Sequence, residues 1–148
     1  MIKKLHAVTS IIAFLTIVSF LVSTVIADLF YSHETIAKIK SLIVLPGLPI
    51  LITAMAVTGA TGFKISKGRK GKLIGKKKKR MPFIVMNGIF ILIPAAILLD
   101  MWASTGQFDT MFWIIQLIEI IFGVVNLILL SMSIRGGLVL TGKLKLKR

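Results

Sequence analysis

Four apolar runs, each long enough to cross a hydrocarbon core of about 30 Å at about 1.5 Å per residue, leave this chain few folds. They lie at about 5–27, 42–62, 82–99 and 111–134, and in a bilayer such runs are helices. With 148 residues there is room for one domain, so the expected fold is all-α: an integral membrane four-helix bundle over 1–148. A hydrophobic share of 56% is far outside the usual soluble range and agrees with this. A cleavable signal peptide is the competing reading of the first run, because Lys3 and Lys4 precede it and Val25-Ile26-Ala27 is an acceptable cleavage site. The run is long for that role, and cleavage would leave three spans.

Charge placement orients the bundle. Ten of the seventeen residues from Lys64 to Arg80 are Lys or Arg, and this basic loop, the N-terminus and the tail from Arg135 to Arg148 fall on one side of a four-span chain. The other side holds Asp28, Glu34, Asp100 and Asp109, with only Lys38 and Lys40 among the bases. Positive residues stay inside, so both termini are expected to be cytoplasmic. In a soluble protein a net charge of +14 would suggest nucleic acid. Here the bases border apolar runs, so the expected partner is anionic lipid, contacted by Lys76, Lys77, Lys78, Lys79 and Arg80, with no role for nucleic acid.

Local signals refine the spans. Ser32 and Asp109 are placed to cap helices, and Ile36, Ile39 and Ile43 recur at helical spacing, so an amphipathic turn leads into the second span. Pro46 and Pro49 predict a kink near its outer end, Pro82 suits the first turn of the third helix, and Pro94 frees the carbonyl of Phe90. Phe30, Tyr31, Trp102, Phe108, Phe112 and Trp113 suit an interfacial belt. Ser19-Ser23-Ala27 and Ala54-Thr58-Gly62 form small-residue faces on which helices can approach closely.

Within these expected spans, Glu119 is the one ionisable residue deep inside a run, and an intramembrane carboxylate is costly enough to mark a functional candidate. Gln116, Glu119, Gly123, Asn126 and Ser133 share a helix face. Counting from the inner ends puts Glu119 level with Ser19, and Asn87 and Thr53 are candidates to join Asn126. This polar stripe reads first as interhelical glue and second as a proton or counter-ion site.

His6 and His33 bracket the first span, about 30 Å apart, so one chain cannot clamp one haem between them. His6 alone is a candidate haem ligand, and haem b is the cofactor that reading calls for. Gly68, Gly71, Gly75 and Lys76 do not make a phosphate-binding loop, since the spacing is wrong and no Ser or Thr follows the lysine. With no cysteine, thiolate chemistry is excluded, and the sequence offers neither a catalytic triad nor a metal-ligand cluster.

Lys4-Leu5-His6, Ser32-His33-Glu34, Thr58 to Phe63, Lys78 to Phe83, Gly106 to Asp109 and Gln116 to Asn126 together resemble a group of small, uncharacterised bacterial four-span proteins, over nearly the whole chain. More loosely, the Lys4-Leu5-His6 opening is similar to that of the copper-resistance D and membrane protoporphyrinogen oxidase families, helical proteins of four or more spans. The oxidase resemblance implies His6 as a haem ligand, but this chain lacks a lysine inside the third span. The leading expectation is a non-catalytic accessory or assembly partner of a larger membrane complex, or a homo-oligomer. Its rivals are a haem- or quinone-associated redox protein using His6, and a proton-coupled small transporter using Glu119.

Overall fold

The computed structural model describes residues 1–67 and 72–140, with the side chains of 72–74, 76–78 and 140 left out of the description. Helix α1 (Ile2–Phe30) is followed by α2 (His33–Leu42), α3 (Leu48–Ser66), α4 (Lys72–Asn87), α5 (Ile93–Ser104) and α6 (Thr110–Leu140), and the described residues contain no strand. Four stretches are long and apolar enough to cross a membrane: Ile2–Phe30, His33–Ser66, Lys79–Ser104 and Thr110–Val139. The protein is a multi-pass membrane protein built as an all-α bundle. Large apolar side chains such as Leu15, Leu29, Phe63, Phe90 and Leu117 are exposed around its perimeter, where they meet lipid chains rather than water.

Two of the four spans are composite, and proline is the reason. The ring of Pro46 disfavours a helical residue before it, so Leu45 adopts φ −137° and ψ 116° and breaks the wide turn Ile43–Gly47 that joins α2 to α3. The kink is therefore where the prolines predict it. A second wide turn, Gly88–Leu92, joins α4 to α5 just before Pro94, whose missing N–H falls in the first turn of α5.

Other expectations shift. Pro82 does not open its helix but lies inside α4, because the basic segment is itself helical from Lys72 onward. The expected 64–80 loop shrinks accordingly, with α3 running to Ser66. Exposed Lys79 and half-buried Arg80 lie on α4; the side chains of Lys76, Lys77 and Lys78 and the tail 141–148 lie outside the described residues. At the far end α1 continues to Phe30, and only Tyr31 and Ser32 separate it from α2. Asp109 caps α6 as expected, accepting from Phe112 N at 3.0 Å and from Gln107 Nε2 at 2.8 Å, and these bonds hold its carboxyl below the usual carboxylate range. Ser32 precedes α2 without bonding its backbone, its hydroxyl lying 3.4 Å from that of Thr35.

Helices α1 and α3 pack antiparallel through small and polar residues. His6 Nδ1 lies 3.1 Å from both Thr58 O and Thr61 Oγ1, and Thr58 Oγ1 donates to Thr9 Oγ1 at 2.9 Å. Because the Thr61 hydroxyl donates to Val57 O at 2.6 Å, both partners of His6 accept, and Nδ1 carries the proton. Ala54 and Gly62 on α3 behave as the small-residue face predicted for it, a Cβ on Gly62 falling 3.0 Å from the His6 ring. On α1 the buried face is Ser10, Ala13, Ile17, Thr24 and Ala27; Ser19 is exposed. Phe112, assigned to the interfacial belt, is instead fully buried with Ala27, Ile36, Leu99 and Ala103, while Phe108 stacks on His33 with centroids 4.1 Å apart.

Gly47 tests the kink. A Cβ there would meet Phe20 Cζ at 2.5 Å and the Leu42 carbonyl oxygen at 3.0 Å, whereas one on Gly59 meets nothing within 4 Å. Gly47→Ala is expected to destabilise the protein by about 1–3 kcal/mol and Gly59→Ala to leave it unchanged, read as thermal unfolding in detergent.

Candidate functional site

The site is assembled by one lysine that hydropathy assigns to a loop. On α2 the buried positions are Ile36 and Lys40, followed by Ile43, so the spacing of four and three residues carries Lys40 inward on the same face as its apolar neighbours. Lys40 is 1% exposed, and its Nζ donates to Glu119 Oε2 at 2.5 Å. Glu119, whose side chain is 14% exposed, is reached at 3.5 Å by Gln116 Nε2 from the turn before it on α6. Glu119, expected as the one ionisable residue deep inside a span, thus has a buried lysine as its partner.

A second acid stands beside the pair. Asp28, half-buried near the end of α1, lies within Coulombic reach of both Lys40 and Glu119, and its Oδ1 is buried without a hydrogen-bond partner. Gln116 Oε1 is likewise buried and unpartnered. Two carboxyl groups and one ammonium leave one negative charge unbalanced when all are ionised. A single proton or monocation neutralises the cluster.

Below the ion pair lies a cavity of about 330 Å³ between α1, α3, α5 and α6. Its walls are apolar, with Phe20, Leu51 and Ile89 among them, and the polar side chains lining it are Thr24, Glu119 and Asn126. Glu119 is the only ionisable residue among the lining residues. Asn126 is 1% exposed, and neither its Nδ2 nor its Oδ1 has a partner. Comparison with protein-family models, with curated proteins and with solved structures finds no match. The chemistry of the site is therefore read from its own side chains.

Of the residues expected to share a polar site, the fold brings together Gln116 and Glu119, with Asn126 farther along the same face of α6. Asn87 is separate: its Nδ2 donates to Phe122 O at 2.9 Å, tying α4 to α6, and its Oδ1 has no partner. Thr53 is exposed and bonds Pro49 O of its own helix. Ser19 lies away from the cluster, because helix ends are not level: α6 runs on well past Ile134, and Gly123 packs on Leu21, with a built Cβ 3.2 Å from Leu21 Cδ2. Glu119 is therefore nearer Thr24 and Asp28 than Ser19. His6 is held against α3 at the opposite end and does not line the cavity.

The ion pair joins α2 to α6, and removing one member leaves a buried charge without its partner. Lys40→Met alone is expected to destabilise by about 3–5 kcal/mol, whereas Lys40→Met with Glu119→Gln is expected to recover most of this loss. Unfolding of both single variants and the pair measures the coupling.

Proposed function

We propose that this is a small proton-coupled carrier of the bacterial cytoplasmic membrane, with its basic end and both termini inside. The observation that carries the reading is the cluster of Lys40, Glu119 and Asp28 at the head of a 330 Å³ apolar cavity. Ionisable groups buried at membrane depth are expensive, and a cluster one charge from balance is suited to taking up and releasing a proton as a ligand enters or leaves. The cavity lies within the size range of small-ligand sites.

The orientation rests on the gathering of Lys3, Lys4, Lys64, Lys67, Lys79, Arg80 and Arg135 at one end and of Asp28, Glu34, Asp100 and Asp109 at the other. A reporter fused to the C-terminus is expected to be active only in its cytoplasmic form; activity of a periplasm-dependent reporter there would reverse the assignment.

Transport itself is tested in proteoliposomes holding a pH gradient, with a panel of cationic, neutral and anionic small solutes inside. One class is expected to accelerate collapse of the gradient, and Glu119→Gln to abolish that acceleration. The carrier reading fails if no class couples, or if the variant couples as the parent does. One observation favours an accessory or self-associating role as a second reading: exposed Ser19 turns a hydroxyl to the outer face at mid-span, where a neighbouring helix can meet it. Stoichiometric copurification of a partner, or a stable homo-oligomer, would bring it forward. The redox reading has no comparable support, since His6 is engaged with Thr58 and Thr61 away from the cavity.

A further inference from the structure

Resting on the carrier reading, we propose that the cavity binds a lipophilic organic ammonium, and that its arrival at Glu119 passes Lys40 to Asp28. The charge sign follows from which member of the ion pair meets the cavity. Glu119 lines it and Lys40 does not, so an entering ligand is offered a carboxylate. The apolar walls select for a hydrocarbon body. Asn126, seven residues from Glu119 on α6 and thus about 10 Å along the helix, stands behind the same wall with donor and acceptor unmet but covered, and a side-chain rotation brings its amide to the cavity. Once that rotation has occurred, a ligand with an ammonium at one end and a hydrogen-bonding group about that far away satisfies both.

Charge balance supplies the coupling. Before binding, Lys40 pairs with Glu119, and one proton on the remaining carboxyl makes the cluster neutral. After binding, the ammonium pairs with Glu119, Lys40 pairs with Asp28, and that proton leaves to water at the acidic end, where Asp28 is half-buried. The exchange is one cation for one proton, with no bond made or broken beyond the proton's. The other charged groups at the acidic end are engaged elsewhere, Asp109 with Phe112 N and Gln107 Nε2. Asp100 on α5 accepts from Ser41 Oγ at 2.6 Å, and Glu34 and Lys38 on α2 form an exposed pair at 3.9 Å. The membrane part of α3 brings no charge.

The test is calorimetric titration of the full chain in detergent with three matched probes: 4-phenylbutylammonium, 4-phenylbutanol and 4-phenylbutyrate. Repeating it in buffers of different ionisation enthalpy counts protons. The ammonium is expected to bind with release of one proton, and the other two to bind at least about tenfold more weakly. Glu119→Gln is expected to abolish the preference for the ammonium. Because that variant can lose stability with its ion pair, Asn126→Ala serves as the independent variant, titrated with the 4-amino-substituted phenylbutylammonium, whose aryl amine reaches the amide. It is expected to bind that probe roughly fivefold more weakly.

Equal binding of the alcohol and the ammonium overturns the cation assignment, and binding of the ammonium without proton release overturns the Lys40 hand-over. Gradient collapse driven only by neutral or anionic solutes refutes this ligand class and leaves the carrier. Ammonium binding with no coupled flux refutes the carrier and leaves the site.

Discussion

A charge buried in a bilayer must find its opposite, and the contact between Lys40 and Glu119 meets that demand across the bundle. It joins the short helix α2, whose remaining surface is amphipathic, to the long α6. Without it, the stretch His33–Leu42 has the composition of an interfacial helix lying outside the core. With it, α2 is the third of a composite span nearest the acidic end, and Ile36 packs on Ala27, Leu99 and Phe112. One ion pair thus decides whether the acidic end of the bundle is closed by protein or left to lipid headgroups.

The prolines make this arrangement geometrically available. A straight helix from His33 to Ser66 would have one fixed direction, whereas the break at Leu45 lets α2 and α3 lean on different neighbours. Helix α3 packs along α1 through Ala54, Thr58 and Gly62, while α2 packs on α5 through Ile36 and Ser41. The second interruption, at Gly88–Leu92, faces the same region, and Gly88, Ile89 and Leu92 line the cavity. Irregular backbone at membrane depth is tolerated where it lines a cavity or is covered by protein; Ile43, Gly88, Ile89 and Leu92 line the cavity and Gly47 is buried, while Leu45, Pro46 and Phe90 are exposed on the perimeter.

The polar residues divide into two groups by what they do with their hydrogen bonds. His6, Thr9, Thr58, Thr61 and Asn87 are spent on neighbouring helices, which is the usual fate of such side chains in a bilayer. Asp28, Gln116 and Asn126 keep buried polar atoms without partners and belong to the cluster or the cavity, while Asn87, which ties α4 to α6 through its Nδ2, leaves its Oδ1 unmet away from them. Concentration of unmet hydrogen-bonding capacity in one place, with apolar walls beside it, separates a site from glue.

Much of the fold was legible in the amino-acid sequence. Four spans, the kink at Pro46, the cap at Asp109 and the small face of α3 follow from hydropathy, ring sterics and side-chain size, which act locally or are read by the bilayer as averages over a segment. Glu119 and Gln116 were also legible as an inward stripe, because helical spacing alone puts them on one face. The partner of Glu119 was not. Lys40 falls between Ile36 and Ile43 on a shared face, yet a lysine near a span end weighs in a hydropathy average as a loop marker. Its burial depends on Glu119 meeting it, a contact between residues 79 apart. The sequence by itself determined which segments enter the membrane and which end is basic. Only the tertiary structure decided that Glu119 stands beside Asp28 rather than Ser19, because helix stagger and rotation are set by packing, and one turn of about 5.4 Å exchanges one set of neighbours for another.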